Sequence, residues 1–223
     1  GVTFINKAKG GKSTRSFLNN MDITSGGSVP DTRWSDILAQ GKYGDYLFIQ
    51  FGHNDRSAAG RMTDPDSLQK DETSYKYNLK RFIIAAKEKG MIPVLLTSVW
   101  ERKFDDDGKM SDTTIEPYRA AMREIGEIYD VPVLDVGAEH KKLAERWGVE
   151  DSKKLYIHIS LEDYPDFPTK YASLNDDTHL SATGAAEVCK IIIHEIKEKA
   201  VSYPQLEELS KFINPSANIN YIK

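Results

Sequence analysis

The chain has 223 residues, 39% apolar and 29% charged, and its 30 Lys and Arg against 34 Asp and Glu give a formal net charge of −4. This ordinary composition excludes disordered and fibrous classes, and a chain of this length removes roughly 70% of its unfolded surface from water on folding. With no basic block longer than a few residues, nucleic acid and an anionic membrane are not expected partners.

In chain order, residues 2–6 read as a short strand entering a Gly-rich turn. Residues 45–51 form a second strand, apolar on both faces, that ends at Gly52-His53-Asn54-Asp55. Residues 92–98 and 131–136 are a third and a fourth. Near-continuous apolar strands mean burial on both faces, the habit of parallel strands under crossover helices. The longest apolar runs, 46–51 and 94–99, are far short of a membrane span of roughly 20 residues.

Helical periodicity fills the gaps. Residues 74–89 place Tyr77, Phe82, Ile83 and Ala86 on one stripe before Gly90, a helix stop. Residues 115–129 do the same with Met122, Ile125 and Ile128, and residues 184–199 with Val188, Ile192 and Ile196. Cys189, the only cysteine, sits on this last stripe and is expected in the core; alone it allows no intrachain disulfide and no cysteine-based metal site. No signal peptide opens the chain, and Gly1 looks like a processed or cut start. The alternation predicts one α/β domain over 1–223, with its site beyond the carboxyl ends of the strands. Long loops at 22–32, 56–72, 104–114 and 163–175 are candidate walls.

Three strings carry chemistry. The first, Asn6 to Thr14, nearly matches a phosphate-binding loop through Gly11-Lys12-Ser13, but Asn6 replaces its leading glycine and the strand at 45–51 ends in no metal-holding Asp. It reads better as a Gly-rich turn capping a helix, or as amides aimed at an oxyanion. The second is Gly52-His53-Asn54-Asp55. Asn54 can donate to a developing oxyanion, and Asn54 and Asp55 can equally cap the next segment. In the third, Asp176-Asp177-Thr178-His179, a carboxylate three residues before a histidine can hold its Nδ1–H and leave Nε2 as general base. Asp177 is expected to point away. His140, His158 and His194 read as surface or packed, and no metal-ligand spacing occurs.

In this order the strings resemble the SGNH (GDSL-type) hydrolases, most closely the rhamnogalacturonan acetylesterase group. The pattern N-x-A-x-x-G-x-S-x-R-S-[FY] matches Asn6 through Phe17, G-H-N-D matches Gly52 to Asp55, and D-x-T-H-x-S-x-x-G-A matches Asp176 through Ala185. The resemblance implies a three-layer αβα, flavodoxin-like parallel sheet (the SGNH hydrolase fold) and a serine esterase acting on acetylated polysaccharide or oligosaccharide of plant cell walls. It implies His179 and Asp176 as catalytic residues, Gly11 and Asn54 in the oxyanion hole, Arg15, His53 and Trp100 on the substrate, no cofactor or metal, and a secreted or periplasmic setting.

The Gly-Asp-Ser string that carries the family's nucleophile and first strand is not in this sequence, and Ser13, Ser16, Ser57 and Ser181 each have an ordinary capping reading. The domain therefore reads as N-terminally incomplete, with four of the family's strands recognisable. The vacant position would be closed by the strands at 2–6 and 45–51 pairing directly, by residues 212–223, or by a partner chain or N-terminal fragment supplying the strand. A non-catalytic carbohydrate-binding or assembly protein that lost its nucleophile is the alternative. Loop aromatics Trp34, Trp100, Tyr164, Phe167 and Tyr171 are candidate sugar platforms, and Lys12, Arg15 and Arg102 candidate partners for galacturonate carboxylates.

Overall fold

A computed structural model of the chain describes residues 1–19, 31–56, 60–162, 164–168 and 174–214. Three parallel strands, β1 (Tyr46–Ile49), β2 (Ile92–Leu96) and β3 (Val133–Leu134), lie in the order β1-β2-β3. Tyr46 pairs with Ile92 at one end of the first ladder and Leu95 with Val133 in the second. The side chains of β2 separate by the strand period of two. Leu95 joins a core with Ile49, Phe17, Trp34, Phe82 and Met122. Val94 and Leu96 join another with Leu134, Leu143, Tyr156 and Ile191.

Helices cover both faces, which gives the three layers. On the first face lie α1 (Thr14–Leu18), α2 (Arg33–Gln40), α3 (Tyr75–Glu88) and α4 (Glu116–Ile128). On the second lie α5 (Val136–Asp151), α6 (Ala182–Lys199) and α7 (Glu207–Lys211). The expected helices start and stop where their caps predict. The Ser74 hydroxyl accepts the Tyr77 amide at the head of α3, and Ser181 accepts the Gly184 amide at the head of α6.

A two-stranded antiparallel ribbon follows α5, formed by β4 (Tyr156–His158) and β5 (Asn175–Leu180). The period-2 signal missed it because β5 is polar throughout, Asn-Asp-Asp-Thr-His-Leu. A 3-10 turn at Ser152–Leu155 leads into β4 and packs under α6. A Cβ built on Gly184 would lie 1.9 Å from the Leu155 carbonyl oxygen, so only glycine lets the helix start lie on that turn.

Four expectations are corrected. Residues 2–6 form no strand: Phe4 is 86% and Ile5 70% exposed, with nothing to pack on. Direct pairing of residues 2–6 with residues 45–51 is therefore absent, and among the described residues β1 pairs with β2 alone; most of 212–223 lies outside the described residues. Cys189 is exposed, because the inward stripe of α6 runs through Gly184, Glu187, Ile191, Glu195 and Ile196. Ile128, on the last turn of α4, is likewise exposed.

Replacing Gly184 with Ala sets a methyl against backbone that cannot move aside. We expect a loss of about 1–3 kcal/mol, read as a lower urea midpoint at unchanged slope.

Candidate active site

The first two strings meet through one carboxylate. Asp55, fully buried, accepts the Thr14 amide at 3.1 and 3.2 Å, the Thr14 hydroxyl at 2.5 Å and the Thr63 hydroxyl at 2.9 Å. Asn78 of α3 donates to the Thr14 hydroxyl at 3.2 Å. Asp55 thus joins the loop after β1 to the head of α1. Burial pushes its pKa up to about 7 against the pull of these donors. Asp55 does not cap the next segment, the alternative the sequence offered, but serves the head of the earlier helix α1.

The turn into this loop is made by Gly52, whose φ of 144° and whose virtual Cβ, 2.5 Å from the Ser98 hydroxyl, both exclude a larger residue. Gly11 turns the other loop. A guanidinium sits between the two: Arg61 Nη1 donates to the Gly11 carbonyl at 3.3 Å and to Asn54 Oδ1 at 3.4 Å. With Oδ1 so engaged, the Asn54 amide nitrogen is turned the other way.

The third string supplies a histidine on a carboxylate. His179 Nδ1 lies 2.7 Å from Asp176 Oδ2, and its imidazole is 73% exposed. A carboxylate only accepts, so Nδ1 carries the proton and Nε2 of the neutral ring keeps its lone pair. Burial opposes the charge on Asp176, but the backbone and ring N–H of His179 and the Thr178 amide outweigh it and hold the carboxyl below its ordinary value of 3.8.

His53 connects this pair with the second string. Burial first, then the charges of Arg56 and Arg119, depress His53 to about 4, and His179 adds to the effect. Its ring is therefore neutral near pH 7, and its buried Nε2 has no hydrogen-bond partner among the described residues.

Other expected contacts fall elsewhere. Trp100 is 6% exposed, with Arg119 and Lys141 over its ring at 4.3 and 4.7 Å, so it has no open face for a sugar. Trp34 packs edge-on against Phe82 in the core. Tyr164 is exposed, and Tyr171 lies outside the described residues. The three cations considered for substrate carboxylates already hold carboxylates of the chain: Lys12 with Asp31 at 2.7 Å, Arg15 with Glu72, and Arg102 with Asp177 at 3.0 Å. Burial of Lys12 in that pair also removes the phosphate-loop reading.

The serines are spent as caps. The Ser13 hydroxyl accepts the Ser16 amide and the Ser16 hydroxyl accepts the Ser13 amide, a capping box at the head of α1. Ser181 caps α6; Ser57 lies outside the described residues.

Sequence reasoning missed Arg61 and the meeting of Arg102, Asp177 and His158. His158 Nε2 is 2.8 Å from Asp177 Oδ1. These partners are separated by 19 and 75 residues, so no local spacing signals them.

Residues 1–186 match the profile of the GDSL-like Lipase/Acylhydrolase family. The chain is 38% identical over 198 residues to Rhamnogalacturonan acetylesterase RhgT of Bacillus subtilis, covering 89% of this chain and 75% of that protein. It is 28% identical to Probable rhamnogalacturonan acetylesterase YesY of the same organism, over 94% of this chain and 82% of the relative. The crystal structure of protein YXIM from Bacillus subtilis superposes with a TM-score of 0.64 at 24% identity, over 89% of this chain. The chain spans 46% of that protein, and this likeness speaks for the fold alone.

The titrating groups oppose one another. His53 and His140, both depressed to about 4 from 6.5, stay neutral in the fold while the unfolded chain takes up protons, so they make stability rise from about pH 4 to 6.5. Asp55, raised from 3.8 to about 7, keeps a proton that the unfolded chain releases, so it makes stability fall over nearly the same window. Urea midpoints against pH should therefore climb more steeply in Asp55→Asn and less steeply in His140→Gln. Separately, the 223-residue chain by itself should turn over p-nitrophenyl acetate close to background, and Ser13→Ala or Ser16→Ala should leave that rate unchanged.

Proposed function

This chain belongs to the GDSL-like lipase/acylhydrolase family, and on that premise we propose that it is a serine-type carbohydrate esterase that removes acetyl groups from a rhamnogalacturonan-like pectic polysaccharide. The observation that carries the chemistry is the 2.7 Å contact between His179 Nδ1 and Asp176 Oδ2. The two acetylesterase relatives support the substrate class.

In this reading a serine hydroxyl attacks the acetyl carbonyl carbon and its proton passes to His179 Nε2. Collapse of the tetrahedral intermediate breaks the bond to the sugar oxygen, which leaves with that proton. Water then repeats the sequence on the acyl-enzyme and releases acetate. The resemblance puts the serine in a Gly-Asp-Ser string, which residues 1–223 do not contain.

Asp176 fixes the tautomer throughout and stabilises the imidazolium as it forms. The Gly11 amide and the Asn54 side-chain nitrogen face the oxyanion, each donor contributing roughly 3–4 kcal/mol in the transition state. Arg61 supports this role by occupying the carbonyl oxygens of both residues. His53, which the resemblance puts on the substrate, is neutral near pH 7 and would bring no charge to a sugar hydroxyl. A cell-wall polymer as substrate fits a secreted or periplasmic protein.

The decisive assay follows acetate release by the full-length protein from acetylated rhamnogalacturonan and from acetylated xylan. We expect a clear preference for the former. His179→Ala should cost on the order of 10⁶ in kcat, and Asp176→Asn should lower kcat with little change in KM. Equal rates on both polymers would remove the pectic assignment, and an unaffected His179→Ala would remove the mechanism.

A further inference from the structure

The strand that carries the catalytic pair does not run evenly beside its partner. Tyr156 pairs with Leu180, yet the next residue, Ile157, pairs with Asp176. Residues 177–179 are therefore extra on β5 and form a bulge, a device that re-aims side chains and takes backbone out of the ladder. His179 is the last residue of that bulge.

Two carboxylates replace the lost ladder bonds. From inside, Asp176 Oδ1 accepts the amides of Thr178 and His179 at 2.7 and 2.8 Å. From outside, the Asp177 carbonyl accepts the Arg102 amide at 2.7 Å, and its Oδ1 accepts Arg102 Nη1 at 3.0 Å and His158 Nε2 at 2.8 Å.

Arg102 is a rigid post. Its guanidinium also donates to the Ser152 hydroxyl and to the Val149 carbonyl. The loop that leads to it has several of its backbone polar groups held by side chains. Arg119 donates to the carbonyls of Ser98 and Val99, His140 Nδ1 accepts the Trp100 amide, and the Tyr156 hydroxyl donates to the Trp100 carbonyl. A backbone tied off in this way has little freedom to shift.

We propose that Asp177 is a positioning residue of the esterase site: clasped by Arg102 and His158, it anchors the bulge that presents His179 to Asp176. Asp177 acts through the backbone it shares with both residues and contacts no reacting atom. Its carboxylate faces the post while that of Asp176, one residue earlier, faces His179. The proposal rests on the reading of Asp176 and His179 as the catalytic pair.

The test is nuclear magnetic resonance on the ¹⁵N-labelled 223-residue chain, following the His179 Nδ1 proton. The wild-type chain, at low temperature, should show a downfield proton whose exchange Asp176→Asn accelerates beyond detection. Asp177→Asn and Arg102→Gln should raise its exchange rate about tenfold, the loss of one charge-assisted hydrogen bond, with the His140 ring signals unchanged. Should Asp177→Asn fail to fold, His158→Gln removes one arm of the clasp and should give a smaller rise in the same signal. Wild-type exchange in the folded clasp variant overturns the proposal. A wild-type chain without that proton, or one indifferent to Asp176→Asn, overturns the catalytic pairing itself, and the role of Asp177 falls with it.

Discussion

The Asp55 carboxylate is where the two halves of the first face are joined. Burying it without partners would cost more than a marginally stable domain can bear, so the fold brings it the Thr14 amide and hydroxyl and the Thr63 hydroxyl. That demand fixes where α1 begins relative to the loop after β1. Arg61 then bridges Gly11 and Asn54, and α3 is drawn in through Asn78. The raised pKa of Asp55 records what remains of the burial cost.

A second set of ties works on the opposite side of the site. The loop after β2 leaves a parallel sheet with no strand to pair with, so its amides and carbonyls need other partners. Arg119, His140 and Tyr156, from two helices and the ribbon, provide them. The same loop then holds the β5 bulge through Arg102. His179 can thus be mostly exposed while the backbone behind it is held.

Charge is arranged so that few free cations remain around the site. Lys12, Arg15 and Arg102 are each paired with a carboxylate of the chain, and Arg56 with Glu101 and Asp112. Burial keeps His53 neutral. Arg61 instead meets two carbonyl oxygens, those of Gly11 and of the Asn54 side chain.

Much of the scaffold was legible in local pattern. Apolar runs at 45–51 and 92–98 became β1 and β2, and the stripes that include Phe82, Met122 and Ile196 became α3, α4 and α6, because burial on a sheet requires those periods. The contact between Asp176 and His179 was legible too, since the partners lie three residues apart. Residues 2–6 misled because an apolar run signals a strand only when a neighbour pairs with it. The sequence by itself determined the family, the helices, the buried strands and the contact between Asp176 and His179, all properties of spacing along the chain. Only the tertiary structure decided that Trp100 lies under two cations, that Arg15 and Lys12 are already neutralised, that Arg61 bridges Gly11 and Asn54, and that Arg102 and His158 both meet Asp177. The physical reason is common to all four: each depends on partners far apart in sequence, which only the packed chain brings within a few ångströms.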